Sequence, residues 1–128
     1  MVQKAQAILN ALDFPDAELS IVIVDDVHIA ELNKRYLNRS GPTNVISFPM
    51  RAGDFSDITP RLLGDVVISA ETARREAVAT GTRLAVRMSE LLVHGVLHLF
   101  GYDHEKSQEE SERMQQKSEE LLGIIAGI

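Results

Sequence analysis

The sequence predicts an α+β domain, a small mixed β-sheet covered by helices with one buried helix at its centre. Three observations carry this expectation. The apolar periodicity changes along the chain in the order α-β-α-β-β-α-α-α. One segment, LLVHGVLHLF at residues 91–100, is apolar on every side except at two histidines, as a central helix must be. The 128 residues are 45% hydrophobic, enough for one sizeable core, and the length suits a single domain over 1–128.

Each element follows from its own pattern. Val2, Ala5, Ile8, Leu9 and Leu12 recur at helical spacing and predict a helix over 2–12, ended by Asp13-Phe14-Pro15-Asp16. ELSIVIV, 18–24, reads as a strand, and its unbroken apolar run predicts cover on both faces. Asp25 or Asp26 caps the following helix, which runs to Leu37 with Ile29, Leu32, Asn33 and Tyr36 on one side. NRSGP is a loop, and TNVISF, 43–48, a second strand stopped by Pro49.

Residues 51–61 lack periodicity and read as a mobile loop. LLGDVVI, 62–68, is a third strand in which Gly64 marks a bulge or a close backbone approach. Ser69 caps a helix that ends at Gly81, Thr82 caps the next, over 83–100, and Gly101 ends it. The last helix, 105–122, is strongly polar. Its apolar stripe of Met114, Leu121 and Leu122 predicts a peripheral position.

Composition excludes several functions. There are no cysteines, which removes disulfides, thiolate metal sites and a cysteine nucleophile, and suits a cytoplasmic protein. No apolar run approaches the roughly 20 residues that span a bilayer, so no membrane role is expected, and the N-terminus lacks a signal peptide's pattern. The net charge of −6 argues against simple electrostatic nucleic-acid binding. Its distribution is uneven, however. Residues 34–87 hold nine Lys and Arg, eight of them Arg, against five acids, whereas 103–128 hold three against seven.

Three of the four histidines fall within eleven residues. His94 and His98 are four apart, so they stand one above the other on a helix face. His104 follows the turn at Gly101 and approaches from another direction. Three imidazoles in this arrangement can hold zinc at about 2.0–2.1 Å and leave a fourth position for water, the pattern of a catalytic site. The spacing matches the metzincin peptidase motif H-E-x-x-H-x-x-G-x-x-H at every position but the glutamate, where Gly95 stands. The peptidase's general base is therefore missing. A glycine inside a helix also costs about 1 kcal/mol relative to alanine, which implies a need for close backbone approach. His28 is isolated and reads as a surface residue.

HGVLHLFGYDH, 94–104, resembles the signature of the YbeY family of bacterial endoribonucleases. PTNVISFP, 42–49, and LGDVVIS, 63–69, resemble its other two hallmarks, in the same order, over about Ile21 to Leu122. The resemblance implies a compact α+β fold and one zinc ion per chain held by His94, His98 and His104. It further implies cleavage of single-stranded RNA in the cytoplasm, in rRNA maturation at the 16S 3′ end and in ribosome quality control, with ribosomal or ribosome-associated partners. Many members have an arginine directly after the tyrosine of L-N-x-x-Y. Leu32, Asn33 and Tyr36 match here, but Leu37 takes the arginine's place, and Arg35 or Arg39 is expected to supply the phosphate contact.

Asp65 is the best carboxylate candidate for proton removal, beside its reading as a strand-end cap or loop salt bridge. Asp103 adjoins a ligand and can orient a histidine. Ser47 reads as a buried strand hydroxyl or a residue lining the site. Two other readings of the cradle are a metallopeptidase-like hydrolase, disfavoured by Gly95, and a non-catalytic ribosome-assembly factor with structural zinc, disfavoured by only three ligands.

Overall fold

The computed structural model describes residues 1–50 and 61–128. The elements run α1 (Val2–Ala11), β1 (Glu18–Val24), α2 (Asp26–Leu37), β2 (Val45–Pro49), β3 (Leu62–Ser69), α3 (Ala70–Thr80), α4 (Leu84–Leu99) and α5 (Gln108–Ile125). The loop expected at 51–61 lies, but for Arg61, outside the described residues.

The three strands form one mixed sheet in the order β1-β3-β2. β3 is the central strand, parallel to β1 and antiparallel to β2. Its register against β1 slips between Glu18 and Leu19, which pair with Leu62 and Gly64, so Leu63 is the extra residue of a bulge. Both readings of Gly64 hold. It adopts φ +139°, and a Cβ there would collide with the Phe48 carbonyl oxygen.

The sheet separates two apolar layers. On one face, Val66 and Ile68 pack with Leu92, Val93, Val96 and Leu97 of α4, Ile8 and Leu9 of α1, and Met114, Leu121 and Ile125 of α5. On the other, Ile46 and Val67 pack with Ile29 of α2, flanked by Val24, Leu32 and Phe48. Neither layer covers the middle of β1, where Val22 and Ile23 are 41% and 45% exposed. The expected two-sided cover of this run is therefore incomplete. β1 is an edge strand, and α2 and α4 lie over β3 and β2.

Side-chain caps start α2, α3 and α5 but not α1 or α4. Asp25 is the N-cap of α2, its carboxylate accepting the His28 N–H, and Ser69 caps α3 by accepting the Thr72 N–H. Gly81, at φ +71°, closes α3. Thr82 does not cap α4, whose N-cap is Arg83 without a side-chain bond. The Thr82 N–H instead donates to the Ala77 carbonyl and its hydroxyl meets that of Thr80, so it belongs to the end of α3. α5 is not peripheral, because it extends past Gly123 to Ile125 and buries three side chains completely enough to join the main core.

Candidate metal centre and its cleft

Gly95 sets the height of α4 over the sheet. A Cβ at this position would lie 2.6 Å from Cγ1 of Val66 and 3.2 Å from Cγ2 of Val45. The helix backbone therefore rests directly on the strands, and the Ser47 hydroxyl donates to the Gly95 carbonyl at 2.7 Å. The position that holds a glutamate in metzincins faces the sheet here, with no room for a side chain. The absence of that base is a consequence of how α4 packs.

His94 and His98 occupy the adjoining face of α4, half-buried, with their Nε2 atoms 3.0 Å apart. Phe100 caps the helix, Gly101 takes φ +91°, and the chain turns so that His104 returns toward them. Asp103 shapes the return by accepting the Glu105 N–H at 2.8 Å. It therefore caps this turn and is not hydrogen-bonded to an imidazole. The ring centroids of His104 lie 5.3 Å from His94 and 5.5 Å from His98.

One ligand nitrogen from each ring lies within 4.8 Å of the others, the only such donor group among the described residues. A tetrahedral ion at zinc–nitrogen distances places its ligand atoms about 3.3 Å apart, so the three rings suit one metal ion after a small movement of the exposed His104. The protonation states agree. Burial first, then the neighbouring His98 and His104 rings and the Arg87 guanidinium, hold the His94 pKa down from 6.5 to about 4. Burial and His104 also lower that of His98. Neutral imidazole is the form that binds metal.

The rings open onto a cleft of about 620 Å³ between the loop after α2, strand β2 and the turn after α4. Arg39, Thr43, Asn44 and Ser47 line its far wall, and Asp103 and Glu105 its near rim. Asn33 builds the loop. Its buried side-chain amide donates to the Gly41 carbonyl, and its backbone carbonyl accepts the Arg39 N–H. Leu37 also lines the cleft, so the position where many family members have arginine faces the site, and the cleft-lining guanidinium, Arg39, stands two residues later. Arg35 is exposed in the last turn of α2 and is not part of this lining.

Asp65 is not brought to the histidines. It pairs with Phe48 and alternates with Val66, so it belongs to the α2 face of the sheet, whereas Val66 faces α4. A base at this centre is not found there. His28 is exposed and paired to Asp25 at 2.6 Å, as a surface residue. Asn44 is the residue that patterning did not single out. It lies inside the PTNVISFP segment, but an uncharged amide gives no chemical signal of its own.

Three convergent imidazoles on a helix and its following turn, set in a cleft of an α+β scaffold, define a metal-dependent hydrolase type of site. The chain belongs to the endoribonuclease YbeY family, whose model, described as "Endoribonuclease YbeY", matches residues 1–126. It is 51% identical over 122 residues to the Endoribonuclease YbeY of Geobacter sulfurreducens, covering 94% of this chain and 81% of that one. It is 44% identical over 122 residues to that of Aquifex aeolicus, with 95% and 79% covered. Its fold is similar to the solution structure of TM1509 from Thermotoga maritima, with a TM-score of 0.61 and 26% identity over 95% of this chain and 79% of that one.

Proposed function

We propose that this chain is a zinc-dependent endoribonuclease that cuts single-stranded RNA at the three-histidine cleft. The convergence of His94, His98 and His104 on one point carries the reading, and family membership supplies the substrate class. When bound, zinc supplies Lewis acidity toward a phosphoryl oxygen and lowers the pKa of water near it. The protein's own residues do the rest. The two half-buried histidines stay neutral at physiological pH and present lone pairs. The hydroxyl of Ser47 donates to the Gly95 carbonyl and fixes the helix carrying them. Arg39, with no carboxylate partner among the described residues, contacts a substrate phosphate from the opposite wall.

The half-buried floor of the cleft favours a flexible single strand, whose backbone can be drawn in, over a stiff duplex. A peptidase reading loses to the packing at Gly95, and a closed structural zinc site lacks a fourth protein ligand among the described residues. The finer assignment is maturation of the 16S rRNA 3′ end and ribosome quality control in the cytoplasm, with ribosomal or ribosome-associated partners. It rests on the family and is tested with precursor rRNA in ribosomal particles. No helix among the described residues is long and apolar enough to cross a membrane.

The deciding experiment is metal analysis together with cleavage of an unstructured RNA, with and without chelator, for the wild type and His94→Ala. About one zinc per chain and chelator-sensitive cleavage absent from His94→Ala are expected. Because the three ligands converge only in the folded state, stripping the metal should also lower the melting temperature. Cleavage indifferent to chelator, or robust peptide hydrolysis lost with the same histidine, would overturn the assignment.

A further inference from the structure

Asn44 stands where two depressions meet. It lines the histidine cleft and also a second hollow formed with Arg87, Glu90, Leu91, His94, Ser118 and Leu122. Its backbone is pinned, since its carbonyl accepts the Ser69 N–H at the end of β3. Its side chain is pinned as well. The Nδ2 group lies 3.3 and 3.2 Å from the two oxygens of Glu76 on α3. Glu76 is in turn held by Arg87 of α4 through Nε at 3.1 Å and a second guanidinium nitrogen at 3.0 Å, and Arg87 also bonds Glu90.

This chain of contacts fixes which way the amide faces. A carboxylate is acceptor-only, so the amide must turn its NH2 to Glu76 and its oxygen elsewhere. Oδ1 has no partner among the described residues, on a side chain that lines the cleft beside His94. A held, unoccupied acceptor does not bind phosphate, which offers no donor near neutral pH. It binds an N–H or O–H group.

We infer that Asn44 is a specificity-determining residue of this cleft, its Oδ1 accepting a hydrogen bond from a donor on the bound strand, while Glu76 and Arg87 act as positioning residues. This rests on the RNA-cleaving reading of the site. An RNA strand carries such donors on the ribose, as the 2′-hydroxyl, and on the bases, as exocyclic amines and the ring N–H groups of guanine and uracil. Recognition of the first selects RNA over DNA, and recognition of the second selects a base.

The test uses the protein as purified, with short phosphorothioate single strands that resist hydrolysis, and reads binding by fluorescence anisotropy. One series replaces each ribose in turn by 2′-deoxyribose, and another removes the base donors, with inosine, purine riboside and zebularine lacking the exocyclic amine and 1-methylguanosine and 3-methyluridine lacking the ring N–H. One of these changes should weaken wild-type binding about three- to tenfold, the worth of one hydrogen bond. The same change should leave Asn44→Ala binding unaltered, because protein and substrate deletions of one contact are not additive. Glu76→Ala should lose most of the discrimination, and Glu76→Gln, which keeps an acceptor toward Nδ2, should restore it. Circular dichroism melting separates this from unfolding. Equal losses in wild type and Asn44→Ala at every substituted position overturn the inference, as does undiminished binding of the unsubstituted strand by Asn44→Ala. The two readings fail separately. Donor-sensitive binding without cleavage of ordinary RNA sinks the nuclease assignment alone, and cleavage without donor sensitivity sinks only the role of Asn44.

Discussion

Two polar clusters of similar size behave in opposite ways. At the start of α2, Asp26 accepts from the hydroxyls of Ser69 and Thr72 at 2.7 and 2.6 Å and from Arg75 at 2.7 Å, while its own N–H donates to Glu71. Each carboxylate oxygen meets a donor. At the end of α4, three imidazoles aim nitrogen atoms at one another, with at most one N–H to share across the 3.0 Å between His94 and His98. The first cluster is complete as it stands and ties the beginnings of two helices together. The second is completed only by something added from outside. Buried polar groups are normally satisfied, so convergence without satisfaction is what distinguishes a site from a structural knot.

The largest test of this contrast is to cut each cluster once. His98→Ala should reduce chelator-sensitive RNA cleavage by more than about a hundredfold, since even changes to residues behind metal ligands cost about 10–100-fold. It should also lower the bound metal. Asp26→Asn should leave metal content and cleavage near wild type and lower the melting temperature instead. Loss of cleavage in both variants at temperatures where both are folded would erase the distinction.

The histidine cluster was legible in the sequence because its geometry is local. A spacing of four on a helix and a glycine-marked turn bring the three rings together without help from the rest of the chain. The fate of Asp65 was not legible. Alternation along β3 says that Asp65 and Val66 face opposite ways, but only the position of α4 decides which of them meets the histidines. Similarly, Ile21-Val22-Ile23-Val24 reads as buried on both faces because β-branched runs look the same in central and edge strands. The order β1-β3-β2 exposes its middle. Thr82 shows a third limit. Its pattern fits a helix start equally well as the close of the preceding helix, and the bonds it makes back to Ala77 and Thr80 belong to the latter. Arg39, Asn44 and Glu76 lie far apart from His94 in the chain, and no periodicity connects them.

A smaller effect tests the closeness of α4 to the sheet. Gly95→Ala gains about 1 kcal/mol of helix propensity but forces a methyl group within 2.6 Å of Val66. Overpacking of this kind costs about 1–3 kcal/mol, so a net loss of about 1 kcal/mol is expected in urea unfolding. Val66→Ala should relieve the clash, making the pair less destabilised than the sum of its parts. A stabilised Gly95→Ala would mean that the helix does not rest on β2 and β3 as described.

The Asp26 cluster makes a prediction in pH. The Arg75 guanidinium and the Thr72 and Ser69 hydroxyls hold the Asp26 pKa down from 3.8 to about 2. A depressed carboxylate pKa stabilises the fold above the unfolded value, and this contribution fades as pH falls through the folded one. The melting-temperature gap between wild type and Asp26→Asn should therefore be constant from neutral pH to about 4 and shrink toward pH 2. A gap that stays unchanged down to pH 2 would show that the carboxylate's charge is not what the cluster uses.

The smallest expected effect separates the cations by whether they are already engaged. Arg75 and Arg87 are committed to carboxylates, whereas Arg39 lines the histidine cleft with no ion pair among the described residues. Arg35 is exposed but outside the cleft. Each phosphate contact to a single strand contributes about 0.7 to the slope of log affinity against log salt concentration. Arg39→Gln should reduce that slope by about this amount, and Arg35→Gln, Lys106→Gln and Lys117→Gln by much less. A slope of 0.7 changes affinity only about 1.6-fold for each doubling of salt, so the measurement must cover at least a tenfold salt range. Equal slopes for Arg39→Gln and Arg35→Gln would mean that the strand is held by the general basic character of residues 34–87 and that the cleft has no dedicated phosphate contact on its far wall. A reduced slope for Arg39→Gln alone would assign to this residue the task left open by Leu37, two positions earlier on the same wall.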